Sequence, residues 1–276
     1  VKIFKVEEIL EKFENCIINK IPFSLIRFGD GGLKFMSAVL RGDLKSLNQI
    51  IKKEGLPHDY IISILELWGY YARQADFIDC PQVYFDGYFW PRVKSDIRKI
   101  SDSTCKKLIG WENLYSRCEF DNDSYCNPEF NYLMTIRFSK DRKNILDLMK
   151  DRKVCIISAL PGIKETFKTF GYFVDVVQIV RQYENHYERS FENVAAHIRE
   201  YAGKYDFYLT AAGELGRIYS GMIKEYGGRT IDLGFILQFW LGFDLHPRLQ
   251  PFLMRNSNNH LETKLTKKGR EFMRFI

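Results

Sequence analysis

Between residues 154 and 234, short β-branched runs alternate with helix-spaced segments, and small-residue loops join them. Val154-Cys-Ile-Ile157 reads as a buried strand. Ser158-Ala-Leu-Pro-Gly162 follows, then a helix over 163–170 that Gly171 closes. A second strand spans 174–180, and Arg181-Gln-Tyr-Glu-Asn185 leads from it into a long helix over about 187–202. Phe207-Tyr-Leu-Thr210 is a third strand, with Ala211-Ala-Gly-Glu-Leu-Gly216 after it and a helix over 217–226. Gly227-Gly228 ends that helix ahead of a fourth strand, Arg229-Thr-Ile-Asp232. This alternation predicts an α/β fold with a mostly parallel sheet, right-handed crossovers and helices on both faces.

The first half carries the densest local signal. Phe23-Ser-Leu-Ile26 fits a short buried strand, Arg27-Phe28 follows, and Gly29-Asp30-Gly31-Gly32 leads into helix-like spacing over 33–40. A strand that runs through glycines into a helix brings backbone N–H groups and a carboxylate to the sheet's C-terminal edge, where open α/β sheets bind ligands. The same residues also make a tight turn, with glycine supplying positive φ and Asp30 capping the helix. Residues 2–20 read as one amphipathic helix, and 45–53 and 60–75 as two more. Val83-Tyr-Phe85 suits a strand that Asp86-Gly87 ends. Turn statistics favour a β-turn aspartate among core rings there; the functional reading makes Asp86 a candidate base in a cleft wall. Helices are expected over 94–114 and most of 132–150, with a polar loop over 119–131.

Three loops, Gly29–Gly32, Ser158–Gly162 and Ala211–Gly216, therefore follow strands, precede helices and open at one edge. Their small residues let a phosphate approach backbone N–H groups. None matches the dinucleotide G-x-G-x-x-G or the P-loop pattern, and no G-x-S-x-G elbow is present, so a dinucleotide oxidoreductase, an ATPase and a serine hydrolase are disfavoured. The six cysteines form no C-x-x-C pair and have no histidine cluster beside them, which argues against zinc and fits reduced thiols in the cytoplasm. His186 and His197 share a helix and are expected at the surface or partly packed.

Charge is uneven. Seven Lys/Arg against three Asp/Glu place +4 of the net +6 in residues 244–276, a basic, amphipathic C-terminal segment after a main domain over 1–243. Such a segment suits phosphates, an anionic acceptor or peripheral contact with an anionic membrane; a solvated helix face is the plainer reading. No apolar run approaches the ~18 residues of a membrane span, and the start does not resemble a signal peptide.

Arg27-Phe-Gly-Asp-Gly31 resembles the Arg-Phe-Gly-Asp-Gly-Glu signature near the start of the GT-D-type glycosyltransferases. The block from Leu209 to Gly234, with Thr-Ala-Ala-Gly, then Gly227-Gly228 and Thr-Ile-Asp-Leu-Gly, is similar to that family's Ala-Ile-Asp-Ile-Gly ending. The resemblance covers roughly residues 20–242, apart from the polar middle at about 95–150. It implies a Rossmann-like fold and transfer of a hexose or pentose from a nucleotide-sugar donor to a glycan or glycoconjugate, lipid- or protein-linked, in polysaccharide or glycan biosynthesis. It also implies an Asp-x-Glu pair associated with a divalent metal. Asp30 matches the aspartate, but Gly32 stands where the glutamate is expected, which leaves one carboxylate for Mg²⁺ or Mn²⁺; the ion would bind mainly with the donor. Donor contacts are expected from Arg27, Phe28, Gly29, Gly31, Ser158, Ala159, Gly162, Ala211, Ala212, Gly213 and Asp232. Asp30, Asp86 and Glu214 are the candidate catalytic carboxylates. The competing readings are another nucleotide-dependent transferase and a non-catalytic nucleotide- or glycan-binding module. A nucleic-acid binder ranks third, and nucleic acid is not an expected partner.

Overall fold

The computed structural model describes residues 2–27, 38, 42–79, 124–126, 145–181, 184–234 and 236–241. Its eight described strands are β1 (Lys2–Phe4), β2 (Phe23–Ile26), β3 (Phe77–Asp79), β4 (Ser124–Cys126), β5 (Val154–Ser158), β6 (Val174–Gln178), β7 (Phe207–Ala211) and β8 (Arg229–Asp232). They form one sheet in the order β1-β4-β3-β2-β8-β7-β5-β6, with every pair parallel. The α/β fold with a parallel sheet is thus as the alternation predicted. The expected strand at 83–85, most of the polar loop, the helices over 94–114 and the basic segment 244–276 lie outside the described residues.

Helices cover both faces. One core packs α1 (Val6–Ile18), α4 (Ile145–Met149), α5 (Ile163–Thr169) and α8 (Ile236–Trp240) on the sheet. The other packs α2 (Leu44–Glu54), α3 (Ile61–Gln74), α6 (His186–Tyr201) and α7 (Gly216–Glu225) on the opposite face. Strand β5 shows why its sequence is apolar throughout: Val154 and Ile156 enter the first core, Cys155 and Ile157 the second, and all are buried. A central parallel strand alternates its side chains between two covered faces and so needs apolar residues on both.

Local chemistry sets the helix ends. In α1, Val6, Ile9, Leu10, Phe13 and Ile17 form a buried stripe, and the Lys5 N–H donates to Glu8 Oε2 at 2.7 Å. In α2, the Asp43 carboxylate accepts from the Ser46 N–H at 3.1 Å, and Gly55 stops the helix in the left-handed region at φ 60°.

Four points depart from the sequence reading. Residues 2–20 are not one helix, because Lys2–Phe4 pairs with Ser124–Cys126 as a strand before α1 begins. The stretch 119–131 is not wholly loop, since it contains β4. Strand β3 was not anticipated from the sequence. Three-residue strands carry no countable period, and neighbouring strands impose their conformation. Finally, His186 is fully buried, 1% exposed, because it begins α6 on the side that faces α7.

Candidate functional site

The strand order defines the site. From β5 the chain crosses outward to β6, returns to the other side of β5 as β7, and then moves away to β8. The connections leaving β5 and β7 therefore diverge, and the carboxyl ends of strands at such a switch point are where doubly wound sheets form the crevice that binds ligands. Register brings the neighbouring strand ends level: Ser158 pairs with Ala211, Thr210 with Asp232, and Leu25 with Ile231. The loops after β5 and β7, the end of β8 and Arg27 after β2 thus share one edge.

The loop after β5 is tied to itself. Ser158 is buried, its hydroxyl accepts from the Leu160 N–H at 3.2 Å, and Gly162 takes φ 70° before α5. Ala159 is half-buried against the second core. In the loop after β7, Ala212 points into that core, Gly213 takes φ 57°, and Thr210 Oγ1 lies 2.9 Å from Ser220 Oγ. Asp232 is buried at 5% exposure, and its Oδ1 accepts from the Gly234 N–H at 2.9 Å. Gly216 opens α7 so close by that a Cβ there would lie 3.9 Å from both Asp232 Oδ1 and Thr210 Oγ1.

An arginine that the sequence reading did not single out connects these parts. Arg217 Nε donates to the Arg27 carbonyl at 2.7 Å, and its Nη1 makes a close ion pair with Glu214. Its guanidinium also lies over the Trp68 ring, 4.5 Å from the centroid. The side chains of Arg217 and Glu214 are both buried, at 7% and 6% exposure. Arg27 in turn reaches the other sequence block: its Nη1 donates to the Leu233 carbonyl at 3.4 Å. A Cβ at Gly234 would stand 2.5 Å from that nitrogen, so this approach requires glycine, which also holds φ 53°. The Arg-Phe-Gly-Asp-Gly and Ile-Asp-Leu-Gly blocks, 206 residues apart at this bond, meet through Arg27.

Of the expected site residues, Arg27, Ser158, Ala159, Gly162, Ala211, Ala212, Gly213, Glu214 and Asp232 lie on or beside one edge. Phe28, Gly29, Asp30, Gly31, Gly32 and Asp86 lie outside the described residues. The Glu214 carboxylate faces a guanidinium rather than open space. Among the described residues, no three His, Cys, Asp or Glu side chains gather as a metal-ligand set, and no helix is long and apolar enough to cross a membrane.

No protein-family model matches the chain, and neither does any curated protein. Among solved structures, a glycosyltransferase (DUF1792) from Streptococcus sanguinis is similar at 14% identity and a TM-score of 0.47, over 86% of this chain and 82% of that one. A likeness that distant carries no argument about activity.

Proposed function

We propose that the chain is a glycosyltransferase that moves a sugar from a nucleotide-sugar donor to a glycan or glycoconjugate. The observation that carries this reading is the meeting of the two sequence blocks at one sheet edge, through Arg27 and the Leu233-Gly234 backbone. Beside them the β5/β7 crevice presents small-residue loops and backbone polar groups, the surface a diphosphate needs.

In the transfer, the bond from the anomeric carbon to the diphosphate oxygen breaks, and a bond to an acceptor oxygen forms. The diphosphate leaves with the bonding electrons, and the acceptor proton passes to a base. Asp30 and Asp86 are the carboxylates available for that proton in this reading. Glu214 instead helps to set the arginine that holds the strand leading into the Gly29–Gly32 turn. Asp30, with the donor's own oxygens, would hold Mg²⁺ or Mn²⁺, whose charge would neutralise the leaving diphosphate. Cytoplasmic placement and peripheral membrane contact through the basic 244–276 segment belong to the same proposal.

The test incubates the protein with a panel of nucleotide-sugars and follows melting temperature and donor hydrolysis, with and without EDTA. A transferase is stabilised by its donor through mass action and hydrolyses it slowly, and Asp30→Asn abolishes the hydrolysis without unfolding the chain. Stabilisation without any turnover would instead make the protein a binding module. No response to any donor would end the proposal.

A further inference from the structure

A ladder of stacked rings leads from the second core out to solvent. Tyr219 of α7, fully buried, stacks on Phe191 of α6 with centroids 5.8 Å apart. Phe191 stacks on Tyr187 at 4.8 Å and 17°, and Tyr187 stacks on Tyr60 at 5.4 Å and 28°. The last ring is 51% exposed. Its position follows from topology. Helix α6 is the next element after the carboxyl end of β6, across residues 179–185, and α3 runs back from Ile61 to deliver the chain to the start of β3. Tyr60 and Tyr187, at the starts of α3 and α6, therefore stand at the same sheet edge as the β5/β7 crevice. The Tyr187 N–H donates to the Gly55 carbonyl at 3.4 Å and holds the two segments together. Neither phenol hydroxyl of the pair bonds to another described residue.

We propose that Tyr60, backed by Tyr187, is the face on which the nucleobase of the donor stacks. The claim rests on the nucleotide-sugar reading above and deepens it. The outer part of the ladder is nearly parallel and ends in a half-exposed ring, so a planar base laid on Tyr60 would continue it, as every base has a π-face to offer. The two phenol hydroxyls are placed to hydrogen-bond base or ribose edges. Burial, and then the neighbouring Tyr60, push the Tyr187 phenol up, so it remains an O–H donor at neutral pH. Among the described residues Tyr187 is the only ring stacked on Tyr60, which is 51% exposed, and a purely structural ladder has no need of so exposed an outermost ring.

The experiment measures binding of UDP, GDP, ADP, CDP and TDP, and of inorganic pyrophosphate, to wild type, Tyr60→Ala and Tyr60→Phe by titration calorimetry. Stacking of this kind predicts that Tyr60→Ala weakens the preferred nucleoside diphosphate by about 5- to 150-fold. Pyrophosphate affinity should be unchanged, and Tyr60→Phe should keep most of the nucleotide affinity. Because Tyr60 is half-exposed, ligand-free melting temperatures should stay close to wild type. Nucleotide affinity unchanged in Tyr60→Ala, including the case where only acceptor use falls, overturns the assignment. So does an equal loss for pyrophosphate. If wild type binds none of the five nucleotides, the donor reading itself fails and this inference falls with it.

Discussion

Removing the guanidinium of Arg217 tests whether the buried pair holds the edge together. Arg217→Met keeps the length and apolar stem of the side chain. It removes the 2.7 Å bond to the Arg27 carbonyl and the contact with Trp68. It also takes the Arg217 ion-pair partner from the Glu214 carboxylate, whose residue is 5% exposed. Breaking a buried ion pair from one side costs about 3–5 kcal/mol, because the remaining charge is desolvated without compensation. Adding Glu214→Gln removes that charge, so the double variant should recover roughly half of the loss and show a coupling of about 2 kcal/mol. Arg217→Lys keeps the charge but not the fork that reaches both Glu214 and the carbonyl, and should cost about 1–2 kcal/mol. Urea unfolding of the four variants and wild type, extrapolated to water, supplies the values. An Arg217→Met loss below about 1 kcal/mol, or a double variant equal to the sum of the singles, would refute the argument.

Two further outcomes follow from the core. His186 is buried against Tyr219, 3.2 Å from its hydroxyl, and burial holds its pKa down to about 4. The unfolded chain therefore binds a proton that the native state refuses. Stability should be full above about pH 6.5 and fall by up to about 3 kcal/mol as pH drops toward 4; His186→Gln should flatten this part of the profile, and an unflattened one would count against the assignment. Gly221 lets α7 lie against α3, and a Cβ there would run into the Tyr71 ring. Gly221→Ala should accordingly lower stability by about 1–3 kcal/mol despite its better helix propensity, and an unchanged urea midpoint would show that the helices separate freely.

The central strands β5 and β7 were legible because each carries a mostly apolar run, Val154-Cys-Ile-Ile157 and Phe207-Tyr-Leu-Thr210, bounded by polar or small-residue turns, whereas β8, Arg229-Thr-Ile-Asp232, was marked by the glycines on either side of it. Burial on two faces leaves that signature in the sequence, whatever the partner strand. The three-residue strands β1, β3 and β4 left none. Three residues cannot establish a period, and their conformation comes from pairing with strands distant in sequence, such as Ile3 with Tyr125. The candidate site divided along the same line. Small-residue loops after strands are local features, so the β5 and β7 loops could be read directly and their common edge inferred from parallel winding. Arg217 could not. Within its helix it is one basic residue three positions after a glutamate, a spacing common on solvated surfaces. What makes it different is the carbonyl of Arg27, 190 residues away, and the ring of Trp68. The same long-range contact changes how Arg27 is understood. Its guanidinium, expected to meet a phosphate, is directed at the Leu233 carbonyl and packs against Gly234, while its own carbonyl is held by Arg217. An arginine fixed at both ends is suited to locking β2 to β8, and in the proposed transferase the backbone N–H groups that this lock keeps in register would be left to meet the diphosphate.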